Sequence, residues 1–204
     1  MRWSDYTQVS VSMGHEIAVT PLQMVRAFMA FCRDGTIPPL TLLAVDGAES
    51  VAAEPPGAIA ARRVITPETA RLVREVLHAV TTEGTGRRAR SDRWTSFGKS
   101  GTAQLQDPVN GGYFEDRYVS SYIAGAPLEE PRVVVLVVID DPDRRIEHYG
   151  GRVAGPVAKE VFEAVLHHYG VEPDAAEATD EPGPDGAPGG PSGLDAPSLV
   201  RAGD

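Results

Sequence analysis

Seven consecutive apolar residues, Val133 to Ile139, constrain this chain more than any other feature. The run is rich in β-branched residues and short, which reads as a strand. It lacks the polar/apolar alternation of a strand with one wet face, so both of its faces must be covered. It also falls far short of the ~20 apolar residues that a membrane-spanning helix needs. The segment Tyr118–Ala126 precedes it, across Pro127-Leu128-Glu129-Glu130-Pro131, and the two predict a hairpin over Tyr118–Ala126 and Arg132–Asp140. A further strand, rich in small residues, is expected at Thr95–Ala103.

Helices with clear start signals flank these strands. Thr20-Pro21-Leu22-Gln23 supplies an N-cap, a proline where no donor is wasted, and a Gln that closes a capping box. Leu22, Val25, Phe28 or Met29, and Cys32 then recur at helical spacing up to Gly35. Thr66-Pro67-Glu68 repeats the device, with Leu72, Val73, Val76, Leu77 and Val80 as the expected inner face. A last helix is expected from about Val153 to Tyr169, with Val157, Val161 and Val165 inward and Gly170 as its stop. Ile37 to Arg63 reads as loop with a short strand at Leu40–Val45. Helices, then three strands, then a helix predict an α+β fold: antiparallel sheet strands with packed helices.

Charge separates the chain into two parts. It carries 19 Lys+Arg against 29 Asp+Glu, a formal balance of −10. Residues 171–204 hold eight acidic residues and one basic one, with six Pro and six Gly. Such a composition cannot bury enough apolar surface to offset its ordering entropy, so 171–204 is expected to be a disordered acidic tail behind a folded part at 1–170. An acidic chain with no basic run longer than Arg87-Arg88 argues against a nucleic-acid partner. The single Cys32 excludes an internal disulfide and a cysteine zinc cluster, and reads as a core thiol. His15, His78, His148, His167 and His168 show no metal-ligand spacing, and Asp140-Asp141-Pro142-Asp143 reads as a solvated turn, so neither a metal nor a cofactor is expected. No stretch reads as a signal peptide or transmembrane segment.

One motif carries chemistry, Lys99-Ser100-Gly101-Thr102. A cation, two hydroxyls and a glycine on one strand form a rail for an extended, anionic ligand: charge from Lys99, hydroxyl donors from Ser100 and Thr102, and close backbone approach at Gly101. Alternation places Lys99 and Gly101 on one face and Ser100 and Thr102 on the other, which an edge strand beside a cleft can still use together. Taken alone, the tetrapeptide reads first as a small-residue strand with one solvated lysine. Arg87, Arg88, Arg90 and Arg93 form a basic patch just upstream, either a solvated loop or an aid to anionic substrates. Tyr113 and Phe114 are candidates to line the cleft or to pin a loop.

The surroundings of this motif add a resemblance. Gly14 with Thr20-Pro21-Leu22-Gln23, Gly84-Thr85-Gly86, Lys99-Ser100-Gly101-Thr102-Ala103, Tyr122-Ile123-Ala124-Gly125-Ala126-Pro127, Val137-Val138-Ile139-Asp140-Asp141-Pro142, and Tyr149-Gly150-Gly151 with Ala154 and Pro156 follow one another in a family's order. Over roughly residues 3–170 the chain resembles the C-terminal part of the class B penicillin-binding protein transpeptidases of cell division and elongation. The resemblance implies the penicillin-binding protein transpeptidase and serine β-lactamase-like fold. It also implies a reaction, in which a serine attacks the D-Ala-D-Ala amide of a peptidoglycan stem peptide and an amine of a second strand resolves the acyl-enzyme. Lys99, Ser100, Gly101 and Thr102 would bind the substrate carboxylate, or that of a β-lactam, with the Thr102 N–H toward the oxyanion. Cell-division or elongation membrane proteins would be partners, and the outer side of the cytoplasmic membrane the place of work.

Two of the family's three motifs do not appear in these residues. Lys99 and Lys159 are the only lysines, and Asn110 is the only asparagine. Pro156 stands three residues before Lys159, and Pro108 two before Asn110, so neither completes S-x-x-K or S-x-N. Ser96-Phe97-Gly98-Lys99 matches S-x-x-K as text, but on a strand i and i+3 point to opposite faces, so Ser96 reads as a decoy. No catalytic residue is therefore assigned. The expectation is a transpeptidase fragment, inactive and marginally stable alone. A non-catalytic module that binds stem peptides or proteins is the alternative, and an unrelated α+β interaction domain a third reading.

Overall fold

The structure is a computed structural model that describes residues 7–12, 14, 17–40 and 60–175. In chain order it contains α1 (Thr7–Ser12), α2 (Pro21–Cys32), β1 (Thr36–Ile37), β2 (Arg62–Arg63), α3 (Pro67–Thr82), a 3-10 turn (Arg87–Ala89), β3 (Phe97–Gln106), β4 (Tyr113–Ala126), β5 (Val133–Asp140) and α4 (Gly150–His168). The expected short strand at Leu40–Val45 lies outside the described residues beyond Leu40. The segment expected to be a loop from Ile37 to Arg63 instead begins and ends in a ladder, Thr36 opposite Arg63 and Ile37 opposite Arg62.

β3, β4 and β5 form an antiparallel sheet in that order, an α+β arrangement as expected. Val133 lies opposite Ala126, and Val137 opposite Tyr122. The run Val133–Ile139 packs on both faces, except at Val138, which is exposed. Its odd-numbered residues join Tyr122, Ala124 and Ala126 beneath Ala154, Ala158, Phe162 and Leu166 of α4. Val134 and Leu136 join Ile123 and Phe97 beneath Phe28 and Phe31 of α2 and Leu77 of α3. Phe28 stacks on Phe97 with 5.6 Å between ring centroids and meets Phe31 edge-on at 5.5 Å.

Helix starts fall where their caps place them. Thr20 and Gln23 form the full reciprocal box, with Gln23 N–H donating to Thr20 Oγ1 at 3.2 Å and Thr20 N–H to Gln23 Oε1 at 2.8 Å. Thr66 Oγ1 accepts from Thr69 N–H at 3.2 Å. The inner faces differ from expectation. In α3, Val73, Leu77 and Val80 are half-buried as expected, but Leu72 and Val76 are 53% and 66% exposed, and Ala70, Arg74 and Thr81 are buried. The seam that α3 packs on is polar: Thr81 Oγ1 donates to Ser96 O at 3.0 Å, His78 Nδ1 bonds the same carbonyl at 2.7 Å, and Arg74 reaches Phe31 O at 2.7 Å. Buried carbonyls need donors, and that requirement overrides the apolar stripe. Cys32 is half-buried beside this seam, and burial pushes its thiol up to about 12.

In α4 the same correction applies. Val157 and Val161 are exposed, while Ala154, Ala158, Phe162 and Leu166 form the buried stripe. Alanine at two of these positions lets the helix lie close on the sheet. Beyond α4, Val171 to Ala175 run back over Trp94, whose indole Nε1–H donates to Val171 O and Glu172 O at 3.3 and 3.1 Å. Asp174 accepts from the Thr95 N–H at 2.7 Å. No helix among the described residues is long and apolar enough to cross a membrane.

The orientation of α4 is directly testable. Phe162→Ala is expected to lower unfolding free energy by about 3–5 kcal/mol, and Val157→Ala by less than about 1 kcal/mol. Urea titrations of both variants check this; equal losses would put α4 in the valine-inward phase.

Candidate active-site groove

Three segments meet beside the edge strand β3. The first is the turn Gly84-Thr85-Gly86 after α3, closed by Gly86 N–H donating to Val80 O at 3.0 Å. A Cβ on Gly86 would stand 2.5 Å from the Tyr122 hydroxyl, so glycine is required for the turn to sit over β4. The second is β3, where Ser100 lies opposite Tyr122 and Thr102 opposite Ser120. The third is the first turn of α4. A Cβ on Gly150 would lie 2.2 Å from Gly101 O, and one on Gly151 2.1 Å from Thr85 O. These two glycines allow helix backbone to touch strand and turn backbone directly.

Hydrogen bonds tie the segments together. Thr85 Oγ1 and Ser100 Oγ are 2.9 Å apart. Thr102 Oγ1 accepts from Gly150 N–H at 3.0 Å, which leaves the threonine's own proton to donate elsewhere. Ser120 Oγ donates to His148 O, and the His148 ring packs between Tyr118 and Tyr149, with centroids 4.5 and 4.3 Å away. Tyr122, buried beneath the site, has a hydroxyl with no partner among the described residues, and burial raises its pKa.

The resulting groove has a volume of about 570 Å³ and is lined by Gly84, Thr85, Arg87, Arg88, Lys99, Ser100, Thr102, Tyr149, Gly150, Gly151 and Arg152. Lys99, Ser100 and Thr102 thus reach one space although they alternate along the strand. Lys99 is exposed, and its Nζ donates to Ser100 O at 2.7 Å, which lays the side chain along the strand. No carboxylate pairs with Lys99 among the described residues. Among the described residues, no carboxylate, imidazole or thiol lines the groove. Its chemistry is that of a donor wall for an anion: an ammonium, hydroxyls and guanidinia, with no acid–base pair.

One lining cation is locked by an acid just outside. Arg152 Nη1 donates to Glu147 Oε2 at 2.9 Å, while Glu147 Oε1 accepts from His148 N–H and Tyr149 N–H at 2.9 and 3.2 Å. The Arg152 hydrogen bond, helped by the two backbone donors, holds the Glu147 carboxyl down at about 2.

The groove gathers Lys99, Ser100 and Thr102, with Gly101 between them in contact with the start of α4. It also takes in Arg87 and Arg88 from the basic patch, but not Arg93, which stacks over Trp94 at 4.3 Å. Ser96 is buried and lines a different cavity, beside His78 and Thr81. Tyr113 and Phe114 lie at the start of β4 outside the groove. Asp141 and Asp143 are engaged by Arg117 and Arg145, each at 2.8 Å. Arg152 carried no signal of its own in the sequence, whereas Thr85, Tyr149, Gly150 and Gly151 belong to segments that the order of motifs had marked.

Comparison with known proteins decides the family. The family model described as "Penicillin binding protein transpeptidase domain" matches residues 1–163. This chain belongs to the penicillin-binding protein transpeptidases. Its relatives are class B members. It is similar to the probable peptidoglycan D,D-transpeptidase PenA of Neisseria flavescens, 38% identical over 84% of this chain and 40% of that protein. It is similar too to the peptidoglycan D,D-transpeptidase FtsI of Escherichia coli, 32% identical over 88% of this chain and 29% of the relative. The chain therefore spans well under half the length of these relatives. Among solved structures, the transpeptidase domain of Burkholderia pseudomallei penicillin-binding protein 3 superposes with a TM-score of 0.72 at 34% identity, over 84% of this chain and 49% of that one. Penicillin-binding protein 3 of Mycobacterium tuberculosis, solved in complex with aztreonam, gives 0.69 at 28% identity over 85% of this chain and 40% of that one.

The Glu147 clamp predicts a pH effect with a definite sign. Its carboxyl is depressed from 4.5 to about 2 in the folded chain. The clamp's stabilisation is therefore fully present above 4.5 and is lost as pH falls toward 2. Denaturant midpoints taken at several pH values across that window should fall less in Glu147→Gln than in the unaltered chain. Parallel curves would contradict the clamp.

Proposed function

We propose that this chain is the carboxylate-binding part of a class B peptidoglycan D,D-transpeptidase, and that it receives the C-terminal carboxylate of a D-Ala-D-Ala stem peptide, or that of a β-lactam. The single observation that carries this reading is an unpaired Lys99 sharing one groove with the Ser100 and Thr102 hydroxyls. An ammonium and two neutral donors fit a carboxylate through charge-assisted hydrogen bonds. Gly101, between Ser100 and Thr102, lets its strand pack against Ser121 and lets its carbonyl meet the start of α4 at Gly150. The Thr102 N–H is the proposed oxyanion donor.

In the complete reaction, a serine oxygen attacks the carbonyl between the two D-Ala residues, the terminal D-Ala leaves as an amine, and a second strand's amine then displaces the serine. That serine and its lysine are proposed to come from outside these 204 residues, since Ser96, the one serine three residues before a lysine, is buried just before β3 and lines a different cavity. Two features support a shared site. The groove contains no proton-transfer pair, and the helices facing away from the sheet expose Leu22, Leu72 and Val76. Apolar side chains in such positions are surface that further polypeptide would cover. The working place would be the outer side of the cytoplasmic membrane, with cell-division or elongation membrane proteins as partners.

Labelling with a fluorescent penicillin tests the catalytic part. The purified chain should show no covalent band after denaturing electrophoresis. Its reversible binding of an acetylated D-Ala-D-Ala peptide should weaken by roughly tenfold in Lys99→Ala. A covalent band abolished by Ser96→Ala would overturn the reading, because the nucleophile would then be within the chain.

A further inference from the structure

The groove is more cationic than one carboxylate requires. Arg87, Arg88, Lys99 and Arg152 line it, and among the described residues only Arg152 of these has an ion-pair partner, Glu147. Three positive charges are left uncompensated around about 570 Å³, in a chain whose formal charge is −10. Like charges gathered at one groove repel one another, and that repulsion is relieved where anions are received. A single terminal carboxylate at Lys99 would leave the two arginines unmatched.

Arg87 is also held in place. Its Nε and Nη2 both donate to Glu83 O, at 3.0 and 2.6 Å. A carbonyl oxygen fixes the guanidinium without neutralising it, so charge and the remaining N–H donors stay available. The turn that carries Arg87 and Arg88 is fastened to β3 by the Thr85–Ser100 hydroxyl pair. Arg87 therefore has a defined place relative to the strand that carries Lys99, and Arg88 follows it on the same turn.

We propose that Arg87 and Arg88 form a second anion subsite, which takes a side-chain carboxylate of the same peptide whose terminal carboxylate lies at Lys99. The inference rests on the reading of the groove as a stem-peptide site. It names the ligand class more narrowly: a peptide with two carboxylates, one terminal and one on a residue upstream of the D-Ala pair. Both arginines are exposed, so the discrimination is moderate and weakens with salt.

The test compares acetyl-Glu-D-Ala-D-Ala with its neutral isostere acetyl-Gln-D-Ala-D-Ala on the full chain at low salt, by NMR titration. The Glu peptide should bind about fivefold tighter. In the double variant Arg87→Ala, Arg88→Ala the ratio should fall to about one, whatever happens to the separate affinities, and Arg87→Lys, Arg88→Lys should restore most of it. Lys99→Ala should weaken both peptides and leave the ratio in place. Equal affinities in the unaltered chain, or a preference that survives the double alanine variant, would overturn the subsite while leaving the groove's reading intact. Binding of neither peptide would overturn that reading and the subsite with it.

Discussion

The site depends on one close approach, that of the first turn of α4 to the edge strand β3 and the Thr85 turn. Helix backbone reaches strand backbone only where no Cβ intervenes, and Gly150 and Gly151 supply that at two successive positions. From this contact the Thr102–Gly150 hydrogen bond follows, and so does the position of Tyr149 at the mouth of the groove. The stripe Ala154, Ala158, Phe162 and Leu166 continues the same docking along the sheet. Beneath it, Tyr122 fills the space that Gly86 and Gly98 leave open. A larger residue at either position at the start of α4 would move the helix off the strand and open the floor of the groove.

Electrostatics separates the site from the rest of the chain. The overall balance is acidic, with much of the excess in the residues after 170, whereas the groove is lined by four cations and no carboxylate. The positive character of the groove is thus a local property of its lining side chains rather than of net charge. Glu147 shows how the acids are kept out of the way: it faces Arg152 and two backbone N–H groups, and stays off the groove lining.

Much of this was legible from local chemistry. The threonine caps at Thr20 and Thr66 mark helix starts because orphan N–H groups at those positions need an oxygen. The unbroken Val133–Ile139 run marks a strand with packing on both faces, open only toward Val138, and Lys99–Thr102 marks the strand that lines the groove. The phases of α3 and α4 were legible only in part, Leu77 reaching the core while Leu72, Val76, Val157 and Val161 do not, because apolar periodicity assumes an oily partner surface. What α3 meets is the Ser96 carbonyl, which selects Thr81 and His78, and what α4 meets is a sheet close enough to favour alanine over valine. The β1–β2 ladder was hidden for another reason: two pairs of residues separated by a long insertion leave no pattern in sequence. Arg152 joined the site only through the three-dimensional meeting of α4 and β3.

The central claim is that the edge strand and the start of α4 together form a carboxylate receptor. Mapping backbone amide shifts of the full chain while titrating acetyl-D-Ala-D-Ala tests it most directly. The account predicts the largest shifts at Lys99 to Thr102 and at Tyr149 to Gly151. Shifts gathered instead at the opposite cavity, around Glu129, Glu130 and Arg132, would contradict it, as would a spectrum that does not respond.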